Sequence, residues 1–564
     1  MSKLRPRYLV LIVSILIMLS GVALAASVQS GFGTVYVTEV DFQTSDGSWI
    51  HSTLQRPVYA TDTNQLPGVV VIHGVIQCKE WLMAFGIELS RRGFVVLTID
   101  ANSHGNSDPG TGSGAAALDY LAGLDYVDIS AMGLVGHSMG GGIAWSAIEE
   151  SSVIVDALVL VGSGLNRSEV PYVPNTLLAI GEFDALSPYP HNLTILEEFF
   201  GVTGIEAGVT YGSFNDNTAR RIALARTNHL FETIDPLIVS ESVEWMKDGL
   251  KDGLEDSHWV ASGDQIYSLW LTGGFIGLLG LVLTQFPLLA ILIGLSPFRE
   301  LRGTSSNRRT IDNRAFLGLG IIYAAIGLGA FYPLLGLGLF LPFPQSYGDS
   351  ISLWILGSGL LSFLILKLIR RKRPQMISEI GLAGNNAPRY LAMTFLLATV
   401  LAAWMYVWTL LVDLGLALDF RCFLPGFNDL TVARAIMVPI YIIPFLVYFY
   451  VESTWFVGAM RTKARETWIG TQIHWTLNAI LIKCGPYFIL LVLQYGYGMI
   501  TGLPLLPGLF GFSFLFFYAF APWFVISTIM ILWGHHLTGQ HWLGAIVNAV
   551  FFSWVLASML PIAF

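Results

Sequence analysis

The sharpest chemical signal in the chain is the hexapeptide Gly136-His137-Ser138-Met139-Gly140-Gly141. It has the form G-x-S-x-G. It follows the apolar run Ala131-Met132-Gly133-Leu134-Val135 and precedes a helical pattern, the strand–turn–helix context in which this motif presents a nucleophile. The glycines have a steric reason: the turn is sharp, and side chains at those positions would clash. A serine hydroxyl is a poor nucleophile until a base takes its proton. The motif therefore predicts a histidine, an acid to orient it, and attack on a carbonyl with an acyl-enzyme that water releases. The bare pattern also fits a glycine-rich turn without chemistry, and the strand before it is what favours Ser138 as nucleophile.

A second set of candidates lies in the apolar C-terminal half: Glu452, His474, Asn478, Lys483 and Asn548, with His535, His536 and His541. Ionisable groups within membrane segments are functional candidates by default, and Glu452 with histidines offers metal-ligand types. Their order and spacing match no ligand pattern. Lys483, nine residues into its segment, is expected to snorkel, and the histidines to sit in interfacial loops. No metal and no cofactor is called for, and no Walker-type loop is present.

The elements that must position Ser138 can be read from residues 27–250. Short strand candidates are 35–40, 50–55, 68–73, 94–99, 131–136, 157–162, 176–181 and 221–226. Helix candidates are 79–91, 114–123, 139–149, 192–200 and 236–249. Runs such as Val69-Val70-Val71-Ile72 lack alternation, as expected of strands buried on both faces of a largely parallel sheet.

The rest of the 564-residue chain differs in kind. Apolar types make up 54% of the whole and charged types 12%, against about 25% charged in soluble proteins. That excludes a single large soluble enzyme, a disordered chain and a nucleic-acid binder. Residues 27–265 carry 30 acidic and 10 basic side chains, and the remainder 9 and 20. Residues 1–26 (Lys3, Arg5 and Arg7, then an apolar run) read as a signal anchor or a signal peptide, the anchor preferred, with Ala23-Leu24-Ala25 as a possible cleavage site. After a linker at 251–267, residues 268–564 hold about eight spans: 268–295, 315–341, 350–369, 390–412, 435–458, 474–496, 510–533 and 541–561. Arginine and lysine cluster at 296–314, 370–389 and 461–465, whereas alternate connections offer only Arg421 and Arg434. The positive-inside rule then puts residues 27–265 and the C-terminus outside the cytoplasmic membrane. Cys78 is the only cysteine of that exported part, so it can hold no internal disulfide. Asn166-Arg167-Ser168 and Asn192-Leu193-Thr194 are glycosylation-type triplets.

With these residues in view, 35–249 resembles the α/β-hydrolase family, nearest its esterase, dienelactone-hydrolase and serine-aminopeptidase-like branches, over about two-fifths of the chain. The resemblance implies a mostly parallel eight-stranded sheet with helices on both faces, here fused to a polytopic all-α membrane domain. It also implies the chain order nucleophile, acid, histidine. The acid position matches Asp184 in Ile180-Gly181-Glu182-Phe183-Asp184, and the histidine position His229 in Arg226-Thr227-Asn228-His229. Both lie beyond strand ends, where an open sheet builds its site. Glu182 is the rival acid, placed second because it clears the strand by two residues fewer. Val71-Ile72-His73-Gly74-Val75 resembles the family's oxyanion segment, which gives the backbone N–H groups of Val75 and Met139 that role and makes His73 structural. Asp100-Ala101-Asn102-Ser103-His104-Gly105-Asn106-Ser107 resembles a family turn, with Asn102 and Ser103 replacing the usual Arg-Gly pair.

The segment 163–175 is too short for a large helical cap. The longer segment 185–220, with Tyr189, Phe199, Phe200, Tyr211 and Phe214, could shape one wall, and the membrane domain or the lipid surface is one hypothesis for the other. The leading expectation is a membrane-bound, extracytoplasmic serine hydrolase acting on small esters, with the bilayer as its other partner. The same triad would serve an exopeptidase or acyltransferase, and a transporter or sensor with a non-catalytic ligand-binding domain is the alternative of another class.

Overall fold

The computed structural model describes residues 5–165, 172–186, 193–303, 310–372, 387–506 and 508–563. Both glycosylation-type triplets include residues outside these ranges. Nine strands form one sheet: β1 Val35–Gln43, β2 Trp49–Pro57, β3 Leu66–Ile72, β4 Val95–Ile99, β5 Val127–His137, β6 Ala157–Val161, β7 Asn175–Gly181, β8 Thr210–Tyr211 and β9 Arg220–Ala225. Their order is β1-β2-β4-β3-β5-β6-β7-β9-β8. The run from β4 through β9 is parallel, with antiparallel β1, β2 and β8 at the two edges. Eight of these are the strands expected from sequence. The ninth, β8, has two residues and no room for a hydrophobic pattern.

Strands β3, β4, β6 and β7 are buried at every position. Their β-branched runs are sandwiched by helices on both faces, as unalternated strands require. The helices of this part are α2 Met83–Ser90, α3 Ser113–Ala122, α4 Met139–Glu150, α5 Leu193–Phe200 and α6 Pro236–Leu250, with α1 Arg5–Gln29 preceding the sheet.

The polytopic part contains α7 Tyr267–Leu292, α8 Asn313–Gly338, α9 Gly348–Lys372, α10 Ala387–Leu416, the short α11 Val432–Ala435, α12 Val438–Ser453 continued by a π-turn at Thr454–Ala459, α13 Trp468–Thr501, α14 Leu509–Thr538 and α15 Trp542–Met559. Among the described residues nine helical segments, α1 included, are long and apolar enough to cross a bilayer. Helix α1 packs along α7 through small residues. A Cβ on Gly21 would stand 2.2 Å from the Gly277 nitrogen, and one on Gly280 2.3 Å from that of Met18. Such close approach is how helices associate where lipid removes the hydrophobic drive.

The segment joining the two parts is clamped. Arg92 donates to the carbonyls of Val260 (2.7 Å) and Ala261 (2.6 Å), and Glu88 accepts the N–H groups of Ile266 (2.7 Å) and Tyr267 (2.9 Å). Glu88 thus occupies the N-terminus of α7, where unpaired N–H groups and the helix dipole favour a carboxylate.

Lys483 departs from the sequence expectation. It does not snorkel: its ammonium is buried and donates to Glu452 Oε2 and Ser527 Oγ, each at 2.9 Å. Tyr323 and Tyr448 donate to Glu452 Oε1 at 2.6 and 3.1 Å. Four helices, α8, α12, α13 and α14, supply the pair and its partners and satisfy it internally, which a lone helix would have to do by reaching for the interface.

Candidate active site

Ser138 sits where β5 turns into α4, with φ 52° and ψ −117°. That backbone is strained for a residue with a Cβ, and packing holds it. A Cβ on Gly140 would lie 2.2 Å from the Ile72 carbonyl, and one on Gly136 2.4 Å from that of Gly140. Ser138 N–H donates to the Val161 carbonyl at 2.9 Å, and its own carbonyl accepts from Gly141 N–H and Ser163 Oγ.

Ser138 Oγ lies 3.0 Å from His229 Nε2, and His229 Nδ1 lies 2.9 Å from Asp184 Oδ2. An ionised carboxylate only accepts, so Nδ1 carries the proton and Nε2 faces the hydroxyl as an acceptor. Asp184 follows β7, is buried, and accepts Leu186 N–H at 2.7 Å. His229 follows β9 and is nearly buried. Glu182, the rival acid, is exposed and faces Arg226 at 3.6 Å, away from the histidine.

Val75 lines the small cavity in front of Ser138. Met139 is the first residue of α4, so its N–H has no acceptor one turn back in the helix. His73 is fully buried; Nδ1 donates to the Gly74 carbonyl at 2.6 Å and Nε2 accepts Ala101 N–H at 3.0 Å. It ties the loop after β3 to the end of β4.

Two neighbours escaped the sequence reading. Glu232 stands within 3.5 Å of His229 Nδ1 and accepts Gly181 N–H at 2.6 Å. Burial, then the negative charge of Asp184, pushes its carboxyl well above the usual range. Its i,i+3 spacing from His229 was the available signal. Gln77 accepts from Gly74 N–H and lies 2.9 Å from His137 Nδ1, while His137 Nε2 contacts the His229 carbonyl at 3.0 Å. Burial lowers His137 to about 3. His137, His229 and Glu232 present converging ligand atoms, but the ring nitrogens of both histidines are already engaged in these contacts.

The remaining wall comes from the polytopic part. Pro425 and, from the first turns of α14, Leu515, Tyr518 and Ala519 face Ser138 and His229 across a space of about 20 Å³, room for about one water. Tyr518 packs edge-on to Phe231.

Comparison with known proteins agrees with this architecture. Residues 25–265 match the family described as PETase, PET hydrolase-like. A bis(hydroxyethyl) terephthalate hydrolase of Streptomyces coelicolor is 27% identical over 34% of this chain and 61% of its own length. Cutinase 2 of Thermobifida cellulosilytica is 25% identical over 34% of this chain and 70% of its own. Lipase 1 of a Moraxella species is 28% identical over 24% and 44%. The chain thus spans about three-fifths of the length of the Streptomyces relative. The strand order, the strained turn at residue 138 and these matches together make residues 25–265 an esterase-like α/β-hydrolase domain, fused here to a polytopic helical membrane domain.

Proposed function

We propose that this chain is a membrane-bound serine hydrolase that cleaves carboxylic esters outside the cytoplasm. Ser138 Oγ attacks the ester carbonyl as its proton passes to His229 Nε2, and Asp184 holds the tautomer and stabilises the imidazolium. The backbone N–H groups of Val75 and Met139 donate to the tetrahedral oxyanion. The acyl C–O bond breaks, and His229 returns the proton to the departing alkoxide. Water, deprotonated by the same histidine, then releases the acid from Ser138.

The observation that carries this reading is the unbroken hydrogen-bonded chain from Ser138 through His229 to Asp184, built on a strained serine. The named relatives favour esters, since the Streptomyces, Thermobifida and Moraxella proteins are a terephthalate-ester hydrolase, a cutinase and a lipase.

The test is a membrane-impermeant fluorophosphonate applied to intact cells expressing wild type or Ser138→Ala. Labelling of wild type alone is expected. Labelling of wild type only after lysis would overturn the orientation, and no labelling of folded protein in either condition would overturn the activated serine.

A further inference from the structure

Beside the small space at Ser138 lies a cavity of about 490 Å³ between the two parts of the molecule, within the range of small-molecule sites. Trp81 and Leu230 line both spaces and stand between them. The larger cavity is walled by Trp270, Leu271 and Phe275 of α7 and by Phe423 of the α10–α11 connection. Among the described residues Glu80 is the one charged side chain lining it, and its charge is taken up by Arg421 and Lys79 at 2.8 and 2.7 Å. A polar ligand would find little to bind there. An aliphatic chain would find mostly apolar walls, interrupted by Thr233, Tyr267 and Thr272.

The position of the cavity supplies the source of that chain. Helix α7 has 26 residues, about 39 Å at 1.5 Å per residue, against a hydrocarbon core of about 30 Å. The excess is about 9 Å, and Tyr267 and Trp270 at the start of α7 are the aromatic types that sit at the headgroup level. The start of the helix, which lines the cavity, is thus placed at the interface, the depth at which the ester linkage of an acylated lipid lies. At the rim Phe231 and Phe275 are exposed, so the cavity opens sideways along the apolar belt. The direct approach to Ser138 is roofed by α14.

Resting on the serine-hydrolase reading above, we propose that this cavity is an acyl-chain site through which a long-chain ester dissolved in the bilayer reaches Ser138. The chain lies along α7, passes between Trp81 and Leu230, and presents its carbonyl to the nucleophile.

The experiment uses the full-length protein in phosphatidylcholine nanodiscs. Hydrolysis of 4-methylumbelliferyl palmitate, which partitions into the disc, is compared with that of the water-soluble acetate. Thr272→Trp narrows the exposed rim. The palmitate-to-acetate rate ratio is expected to fall roughly tenfold, the equivalent of two lost methylene contacts. Leu361→Trp, on the outer face of α9, should leave the ratio at the wild-type value. A mutant-free arm reacts the wild type with a hexadecyl fluorophosphonate bearing a chain-terminal diazirine. Photolysis should place adducts on residues 270–275 and 422–423. Acetate hydrolysis without palmitate hydrolysis, or an unchanged ratio with adducts scattered over other helices, would overturn the acyl site and leave the hydrolase standing. Hydrolysis of neither ester by folded wild type would overturn the hydrolase reading itself.

Discussion

Two carboxyls approach the same ring nitrogen of His229, and their distances and surroundings separate their roles. Asp184 is the nearer, at 2.9 Å, and Glu232 stands at 3.5 Å. Glu232 holds the Gly181 N–H, and burial together with the Asp184 charge raises its carboxyl well above the usual range, which disfavours its carrying the charge that would stabilise an imidazolium. Glu232→Gln should therefore keep kcat on a soluble ester within about threefold, whereas Asp184→Asn should lower it roughly 10⁴-fold by upsetting the tautomer. Glu232→Ala should instead lower stability by about 1–3 kcal/mol, because it leaves the buried Gly181 N–H without an acceptor. Steady-state kinetics and thermal unfolding separate the three, and equal kinetic losses for Glu232→Gln and Asp184→Asn would contradict the assignment. The serine, aspartate and histidine that the structure brings together stood out as candidates because each follows a strand whose apolar run is plain in the sequence. Glu232 was not, because a reading that seeks the acid before the histidine in chain order passes over the one just after it.

The turn Asp100–Ser107 shows what an element can hide. One of its departures from the pattern it resembles, Ser103, falls where the membrane domain docks, and so do Asp100 and Asn106 of the same turn. Ser103 carbonyl accepts from Arg434 (2.9 Å) and from Ile562 N–H (3.1 Å), Asn106 pairs with Asn428 and Asp429, and Asp100 accepts from Arg421 (3.1 Å). Arg421 also reaches Glu80 and contacts Asp419, all buried. The partners lie more than 300 residues away, so no local pattern could reveal them. Removing one member of a buried ionic cluster strands the others, at a cost of about 3–5 kcal/mol. Arg421→Ala should lower the unfolding midpoint of the detergent-solubilised protein, and an unchanged midpoint would mean that the cluster contributes nothing to docking. A pH dependence follows. Burial opposes ionisation of Glu80, but Arg421 and Lys79 outweigh it and hold the group at about 2. Glu39, whose burial is outweighed by Lys79 and His51, is likewise held at about 2. A depressed carboxyl contributes stability that is full above its unfolded value of about 4.5 and is lost as pH falls toward 2. The midpoint should thus decline on acidification below pH 4.5, and more shallowly in Arg421→Ala, where Glu80 has lost its leading partner.

At the scale of the whole molecule, the contacts described above between the two parts come from helix ends that alternate in the chain: the start of α7, the α10–α11 connection with Arg434 of α11, the first turns of α14 and the segment after α15. The opposite ends gather elsewhere, as Ile311 N–H donates to the Arg461 carbonyl at 2.8 Å. The sidedness read from basic residues and the sidedness of the contacts therefore coincide. Arg421 and Arg434, the two basic residues near the sheet domain, are consumed in buried contacts, while Arg461, Lys463 and Arg465 stand at the far end without comparable burial. The spans were legible because length and hydropathy suffice for them. The roof over Ser138 was legible only as a missing wall, since nothing local tells Tyr518 that it will face a nucleophile. Combined with the positive-inside rule, the arrangement makes a definite prediction. In a background without the native thiols, a cysteine at exposed Ser257 should react with a membrane-impermeant maleimide on intact cells, as should a C-terminal cysteine tag, because residue 562 is bonded to the sheet domain. A cysteine at exposed Lys463 should react only after permeabilisation. The reverse pattern would invert the protein in the membrane while keeping its fold. Labelling of 257 and 463 from the same side would contradict the alternation of the spans themselves, and with it the lateral path from bilayer to Ser138 that depends on α7 crossing where it does.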